Sequence, residues 1–386
     1  MEIKPKTIRI SKEEVEDLKS RLKLTRFPDE IPNAEWEYGI PLDLMKDIMR
    51  YWENEFNWYE VEKRINSFSN YQVNIDGIDI HFIHERGSGL NSIPIIIPHG
   101  WPGSFYEMLD IIPYLTTPEK FGGNPNISFD VVIPSIPGHG FSDIPLKKGF
   151  EDRQVANLFV KLMQLLGYDK FGAHGYDLGA SILGLLCLDH PEYVIGYHTT
   201  SPGNPSPYIS KDTILTEAEE NYLNYCKQWY NDEGGYAHIL GTKPQTLAYS
   251  LNDSPMGLAA FILEKWYLWT SPSNGNLFKH ISLQTLVANV SIYWFTQTIN
   301  SSNRFYFEGE HTKWPGQDDL CNVPLGVSLT ATQPNERPPK EYVERLFPNI
   351  ITWEELNMGG HFVATENPKL IAEKIQKFFM NVKEII

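Results

Sequence analysis

Cysteine is scarce in this chain. Only Cys187, Cys226 and Cys321 occur in 386 residues, widely spaced and odd in number. That argues against a disulfide framework and against a paired-cysteine metal site. It fits a reducing compartment, so a cytoplasmic location is expected. Basic residues are also few, with 33 Lys and Arg against 49 Asp and Glu and a formal charge of −16. So acidic a chain is not expected to bind nucleic acid or an anionic membrane surface. No apolar run reaches the roughly 18 residues of a membrane span. The start, Met1-Glu-Ile-Lys-Pro-Lys, lacks the apolar core of a leader. Internal repeats and low-complexity tracts are missing too. Apolar side chains are abundant: 41% of residues are hydrophobic and 13% aromatic. That is ample for one large domain with an insert, or for two domains.

Residues 1–70 read as mostly helical and amphipathic. Ser11-Lys-Glu-Glu14 is a capping box opening a helix over Glu13 to Leu22, and Pro41 to Glu53 reads as a second. Trp36, Tyr38, Trp52, Phe56, Trp58 and Tyr59 give this segment more aromatic surface than it can bury alone. It is expected to wrap another domain.

From Tyr71 the pattern becomes strand-like. Tyr71–Asp76 and Ile78–Glu85 read as a hairpin turning at Asp76-Gly77. His81 and His84 fall on opposite faces of its second strand, a structural placement. Ile93–Pro98 and Ser128–Ile133 are continuous apolar runs, as in a parallel sheet covered on both faces. A helix over Phe150–Leu166 and further strands near Lys170 and Tyr193–Thr200 complete an alternation that implies a doubly wound α/β sheet. Residues 204–305 break it with helices expected over Thr216–Trp229, Pro244–Asn252, Gly257–Trp269 and Leu283–Thr298. They read as a lid inserted between core segments 71–203 and 306–386. The strand pattern resumes at Pro324–Ala331 and Asn349–Trp353, and a helix over Pro368–Val382 closes the chain.

Gly175-Tyr-Asp177-Leu-Gly179 sits between a buried strand and the apolar helix that follows. One polar residue flanked by glycines on a tight strand-to-helix turn is a nucleophile elbow. A carboxylate there can attack a saturated carbon and form an ester. The motif alone equally suits an Asp set against a helix dipole. In a doubly wound sheet, ligands sit beyond the carboxyl ends of the strands. His99-Gly-Trp-Pro-Gly103 leaves one such strand. The Trp101 and Leu178 N–H groups can form an oxyanion hole, although the loop also reads as a plain strand-ending turn. Gly359-Gly-His361-Phe362, after the last strand, offers a general base in the order nucleophile then histidine. Ser135 to Asp143 reads as a structural turn lining the pocket, and His139 is not expected to be catalytic.

Taken together, these three loops resemble the α/β-hydrolase-fold epoxide hydrolases, in particular their microsomal-type branch. Gly235-Tyr236-Ala-His-Ile, Thr242 to Leu247, Leu251 to Lys265 and Ser301 to Tyr306 are similar to that branch's lid, and Arg26-Phe-Pro-Asp29 to its N-terminal region. The likeness spans nearly the whole chain, without a leading membrane anchor. It implies a mostly parallel eight-stranded sheet with helices on both faces, a helical lid and an N-terminal wrapping segment. It also implies a soluble enzyme without cofactor or metal that turns a small hydrophobic epoxide into a vicinal diol, and it leaves a homodimer open. By the same resemblance, Asp177 forms the ester, Tyr236 and Tyr306 donate to the epoxide oxygen, and His361 activates water. Trp101 and Leu178 stabilise the oxyanion. The family's acid partner for the histidine falls on Gln333. A Gln can hold an imidazole but cannot offset its charge, and the analogous change in a Ser-His-Asp triad costs about 10⁴ in rate. Glu336, three residues on, is the expected substitute. Otherwise the chain resembles a tailoring enzyme in which the substrate's own hydroxyl or amine closes a ring. A third reading is a binding protein on a decayed scaffold.

Overall fold

The computed structural model describes residues 2–124, 126–270, 277–316, 318–332 and 334–385, so the expectation placed on Gln333 lies outside the described residues. Its centre is a sheet of nine strands: β1 (Lys4–Pro5), β2 (Asn70–Ile75), β3 (Ile78–Glu85), β4 (Ile93–Ile96), β5 (Phe129–Pro134), β6 (Phe171–Gly175), β7 (Val194–Thr199), β8 (Leu325–Leu329) and β9 (Ile350–Glu355). The order is β1-β2-β3-β5-β4-β6-β7-β8-β9. β1, β2 and β3 pair antiparallel, β3 joins β5 antiparallel, and β4 through β9 pair parallel. The strand beyond the expected eight is β1, whose two residues lie against Gln72 and Tyr71 of β2. So short a pairing carries no periodicity that a sequence can show.

The β2–β3 turn holds Asp76 at φ 54° and Gly77 at φ 85°, the left-handed pair that suits a two-residue hairpin. Successive strand residues point to opposite faces, and here both faces are covered. Ile95, Val131 and Ile133 pack into one core with the lid and the N-terminal segment, whereas Ile96 and Val132 pack into the other with the helix Asp152–Leu165. His81 is buried between Ser135 and Asn70 at 2.9 and 3.0 Å, and His84 meets the Tyr168 hydroxyl at 2.9 Å.

The N-terminal segment forms helices Lys12–Lys23, Leu42–Asn54 and Trp58–Ile65, the first with the Ser11–Glu14 capping box in place. It lies across the lid. Trp36 stacks on Tyr267 at 3.3 Å, Trp58 tilts on Phe295 at 4.8 Å, and Arg21 bonds Asp253 at 2.9 Å while lying over Trp294.

The lid contains six helices among the described residues: Glu217–Glu233, Gly235–Thr242, Pro244–Leu251, Pro255–Trp269, Leu283–Thr296 and Ile299–Glu310. Two of them escaped the sequence reading. Gly234-Gly235 reads as a breaker, yet the helix holding Tyr236 begins there. The helix from Leu283 stops two residues earlier than expected because Gln297 takes a left-handed conformation, φ 54°, that no Gly or Pro advertises. Ile299–Glu310 then starts a new direction with Tyr306 on it. No helix among the described residues is long and apolar enough to cross a membrane.

Candidate active site

Three loops beyond the carboxyl ends of the parallel strands meet under the lid. After β6 the chain turns straight into the helix Asp177–Asp189, and Asp177 takes φ 50° to make that turn. The flanking glycines are required by space. A Cβ on Gly179 would lie 2.6 Å from the Pro98 carbonyl, and one on Gly175 would lie 2.9 Å from the Gly179 backbone. The Asp177 N–H donates to the Ser201 hydroxyl at 3.2 Å. Its carboxylate Oδ1 accepts the Trp101 N–H at 2.7 Å, and the Leu178 N–H also bonds the carboxylate. Both expected oxyanion donors therefore already point at Asp177. Burial holds this carboxyl above its usual range, while the His361 charge and the two N–H groups pull the other way.

His361 follows β9 on a loop turned by Gly359 at φ 76°. Its ring is buried, with Trp269 at 5.0 Å and Tyr176 at 5.2 Å between ring centres. Nδ1 lies 2.5 Å from Glu336 Oε1, and Nε2 lies 3.6 Å from Asp177 Oδ2. Among the described residues Nε2 has no hydrogen-bond partner. Glu336 ends the single turn Pro334–Glu336 after β8, and its other oxygen accepts the Thr332 hydroxyl at 2.5 Å. Arg337 braces this loop on the Thr330 carbonyl and on Glu355, and the lid's Tyr222 donates to the Asn335 carbonyl. Burial pushes the Glu336 carboxyl up, but the imidazolium and the hydrogen bonds outweigh it, and its pKa is lowered. Burial alone would depress His361. The carboxylates of Glu336 and Asp177 overcome that and raise it to about 9. At neutral pH the site is an imidazolium held between two carboxylates.

The lid closes the site from the opposite side. Tyr236 lies parallel to Trp101 at 5.5 Å, Tyr306 meets Trp101 edge-on at 5.2 Å, and the two tyrosines meet edge-on at 5.8 Å. Burial pushes both phenols well above their usual range, so they remain protonated donors. The Lys265 ammonium sits 4.3 Å over the Tyr236 ring and pairs with Glu264 at 2.6 Å.

A cavity of about 340 Å³ reaches Asp177. Its apolar wall is Trp101, Leu178, Phe305, Tyr306 and Trp314. Other lid aromatics among the described residues do not line it. Phe261 and Trp269 pack on Trp101, Trp266 stacks on Phe362, and Trp294 lies beneath Arg21. A larger hollow, about 620 Å³, beside the helix Asp152–Leu165 contains none of the candidate residues. No cluster of three or more His, Cys, Asp or Glu among the described residues could hold a metal ion.

Sequence reasoning passed over Glu107, which lies in the single turn Phe105–Met108 and is fully buried close to His361 and Asp177. Burial pushes its carboxyl up to about 8. The Tyr176 hydroxyl is near enough to oppose this without reaching hydrogen-bond geometry. Glu107 sits in an aromatic run, Phe105-Tyr-Glu-Met108, with no spacing signal to mark it. Asp152 and Ser181 also line the cavity. Ser181 could have been found, because it stands four residues after Asp177 on the same helix face.

Strand order, elbow and helical cap put the chain in the α/β-hydrolase class, and a model described as the alpha/beta hydrolase fold matches residues 93–241. A second model, described as the epoxide hydrolase N terminus, matches residues 3–108. Epoxide hydrolase 1 of Oryctolagus cuniculus is 36% identical, over 97% of this chain and 88% of its own length. The chain belongs to the epoxide hydrolase family. Among solved structures, juvenile hormone epoxide hydrolase from Bombyx mori superposes with a TM-score of 0.90 at 29% identity, covering 100% of this chain and 95% of that one. The epoxide hydrolase of Aspergillus niger does so with a TM-score of 0.86 at 26% identity, covering 99% and 97%.

Proposed function

We propose that the chain hydrolyses a small, largely apolar epoxide to a vicinal diol through an ester on Asp177. The observation that carries this reading is the double engagement of His361. Nδ1 is held by Glu336 at 2.5 Å, and Nε2 faces Asp177 Oδ2 at 3.6 Å with no other partner among the described residues. Asp177 Oδ1 is engaged by the Trp101 N–H, which leaves Oδ2 to attack an epoxide carbon. As the C–O bond breaks, Tyr236 and Tyr306 donate to the departing oxygen, which would otherwise be too basic to leave.

Esterification removes the Asp177 charge. His361 then loses one of the two carboxylates that keep it protonated, and its pKa falls. The imidazolium proton goes to the alkoxide formed by ring opening, and the neutral ring then takes a proton from water as its oxygen attacks the Asp177 carbonyl carbon. Charge builds on Oδ1, where the Trp101 N–H already points. Each such donor is worth roughly 3–4 kcal/mol. Collapse releases the diol and restores the carboxylate. Glu336 supplies the negative charge that a Gln at position 333 lacks, which favours water attack over ring closure by the substrate.

The test is a single turnover in heavy-oxygen water followed by digestion of the protein. Label is expected in the Asp177 carboxylate. Label found only in the diol would exclude the ester.

A further inference from the structure

The mechanism above leaves a buried, hydrogen-bonded pair of polar side chains in the epoxide channel without a task. Asp152 and Ser181 are 6% and 7% exposed, and both line the cavity that reaches Asp177. Ser181 stands one helical turn beyond Asp177, a rise of about 6 Å. Asp152 comes from the neighbouring helix and accepts the Ser181 hydroxyl through Oδ2.

Helix capping does not explain Asp152. Glu151 is the N-cap of that helix and closes a capping box with Gln154. No cation compensates it either. The adjacent Arg153 pairs with Asp189 at 2.7 Å, and the charged groups acting on Asp152 are the acidic Glu151 and Asp177. A buried carboxyl held by one hydroxyl and its own backbone N–H, with no cation beside it, is costly to keep and retains accepting capacity for a further partner. The wall is mixed, with Asn204, Ser302 and Glu310 beside Trp101, Leu178 and Phe305. Ser181 of the buried pair lies on the same helix as Asp177, where a polar group can orient a ligand against the attacking carboxylate.

We propose that Asp152 and Ser181 form a hydrogen-bonding subsite that selects epoxides bearing a hydroxyl group close to the ring over hydrocarbon epoxides of the same length. The proposal rests on the epoxide chemistry proposed above. Burial holds the Asp152 carboxyl at about 7, so near neutral pH it can donate as well as accept, as a hydroxyl partner requires. An ammonium in the same place would lie within about 6 Å of Asp177, stabilise that carboxylate and blunt its attack.

The matched substrates are 2,3-epoxyhexan-1-ol and 2,3-epoxyhexane, compared by kcat/KM. The wild type is expected to prefer the alcohol by about tenfold, the worth of one net hydrogen bond. Asp152→Ala and, separately, Ser181→Ala are expected to bring that ratio to near one. Ser181→Ala keeps a good helix former, so it remains informative if the Asp152 variant folds poorly. A wild-type ratio near one, or a ratio that survives both substitutions, overturns the subsite. If neither epoxide turns over, the reaction proposed above fails. The subsite is then read from calorimetric binding of hexane-1,2,3-triol against hexane-2,3-diol. Tighter triol binding that Ser181→Ala abolishes supports it, and equal binding overturns it.

Discussion

The two halves of the site are held by different forces. On the sheet side, Asp177, His361 and Glu336 are charged and follow the ends of β6, β9 and β8, tied together by short polar contacts of 2.5 to 3.6 Å. On the lid side, Tyr236 and Tyr306 are neutral and lie on helices, held by ring packing at 5.2 to 5.8 Å. Charge sits on the half anchored to the sheet, where buried N–H groups and partner charges can compensate it. The two phenols, which in the proposed reaction only donate hydrogen bonds, sit on the inserted half. Damage to the sheet side should therefore abolish a chemical step, whereas damage to the lid should weaken one.

The strongest test of that contrast separates the two steps. Asp177→Asn is expected to abolish turnover by about 10⁴-fold or more, with no ester formed. His361→Gln should form the ester and then stall. Intact-protein mass spectrometry after addition of an epoxide should show a full equivalent bound to the second variant and none to the first. An ester-free His361→Gln enzyme that still turns over would remove the contrast.

Glu336→Gln comes next. It keeps a hydrogen bond to Nδ1 and removes the charge, a change that costs about 10⁴ in an analogous triad. The loss should fall on ester hydrolysis, with the initial burst retained. The His361 titration midpoint, near 9 in the wild type, should move down, because the largest of the charges that raise it is gone. The sign for stability follows. A His raised in the folded state stabilises it below about 6.5, and that contribution is lost as pH rises through about 9. In the variant this loss should set in at lower pH. A midpoint unchanged by NMR titration would mean that Glu336 does not supply the charge.

The same contrast explains what the sequence disclosed. The elbow was legible because its two glycines are demanded by contacts under 3 Å, and such constraints leave a pattern in the chain. Glu336 was legible as a substitute because it lies three residues from the expected acid position. The tyrosines were legible only through the stretches around them. Their helices begin at Gly235 and Ile299, where local signals read as a break and as a continuation. Asp152 and Glu107 left no trace, because burial of a single carboxyl depends on how distant segments fold over it.

For the lid, Tyr236→Phe and Tyr306→Phe keep the ring packing and remove one donor each. Each should slow ring opening by about 10- to 100-fold, less than any change to the charged half. The double variant should lose more than either alone while Asp177 still forms some ester. Stopped-flow measurement of the burst phase distinguishes these cases. If either single variant matched Asp177→Asn, the lid would carry an indispensable group and the two halves would not differ in kind.

The smallest catalytic effect is expected at Glu107, which is buried like the sheet-side acids but lacks their partners. Its carboxyl is raised to about 8, so the folded state holds a proton that an unfolded chain has released. Stability from this residue is therefore intact below about 4.5 and falls as pH rises through 8. Glu107→Gln has nearly the same shape and no proton to lose. Relative to the wild type it should gain stability between pH 5 and pH 9, on the order of a few kcal/mol, with turnover at neutral pH changed less than tenfold. Thermal melts of both proteins across that range decide the matter. Parallel curves would mean that Glu107 is partnered as well as Glu336, and that burial alone does not set the two acids apart.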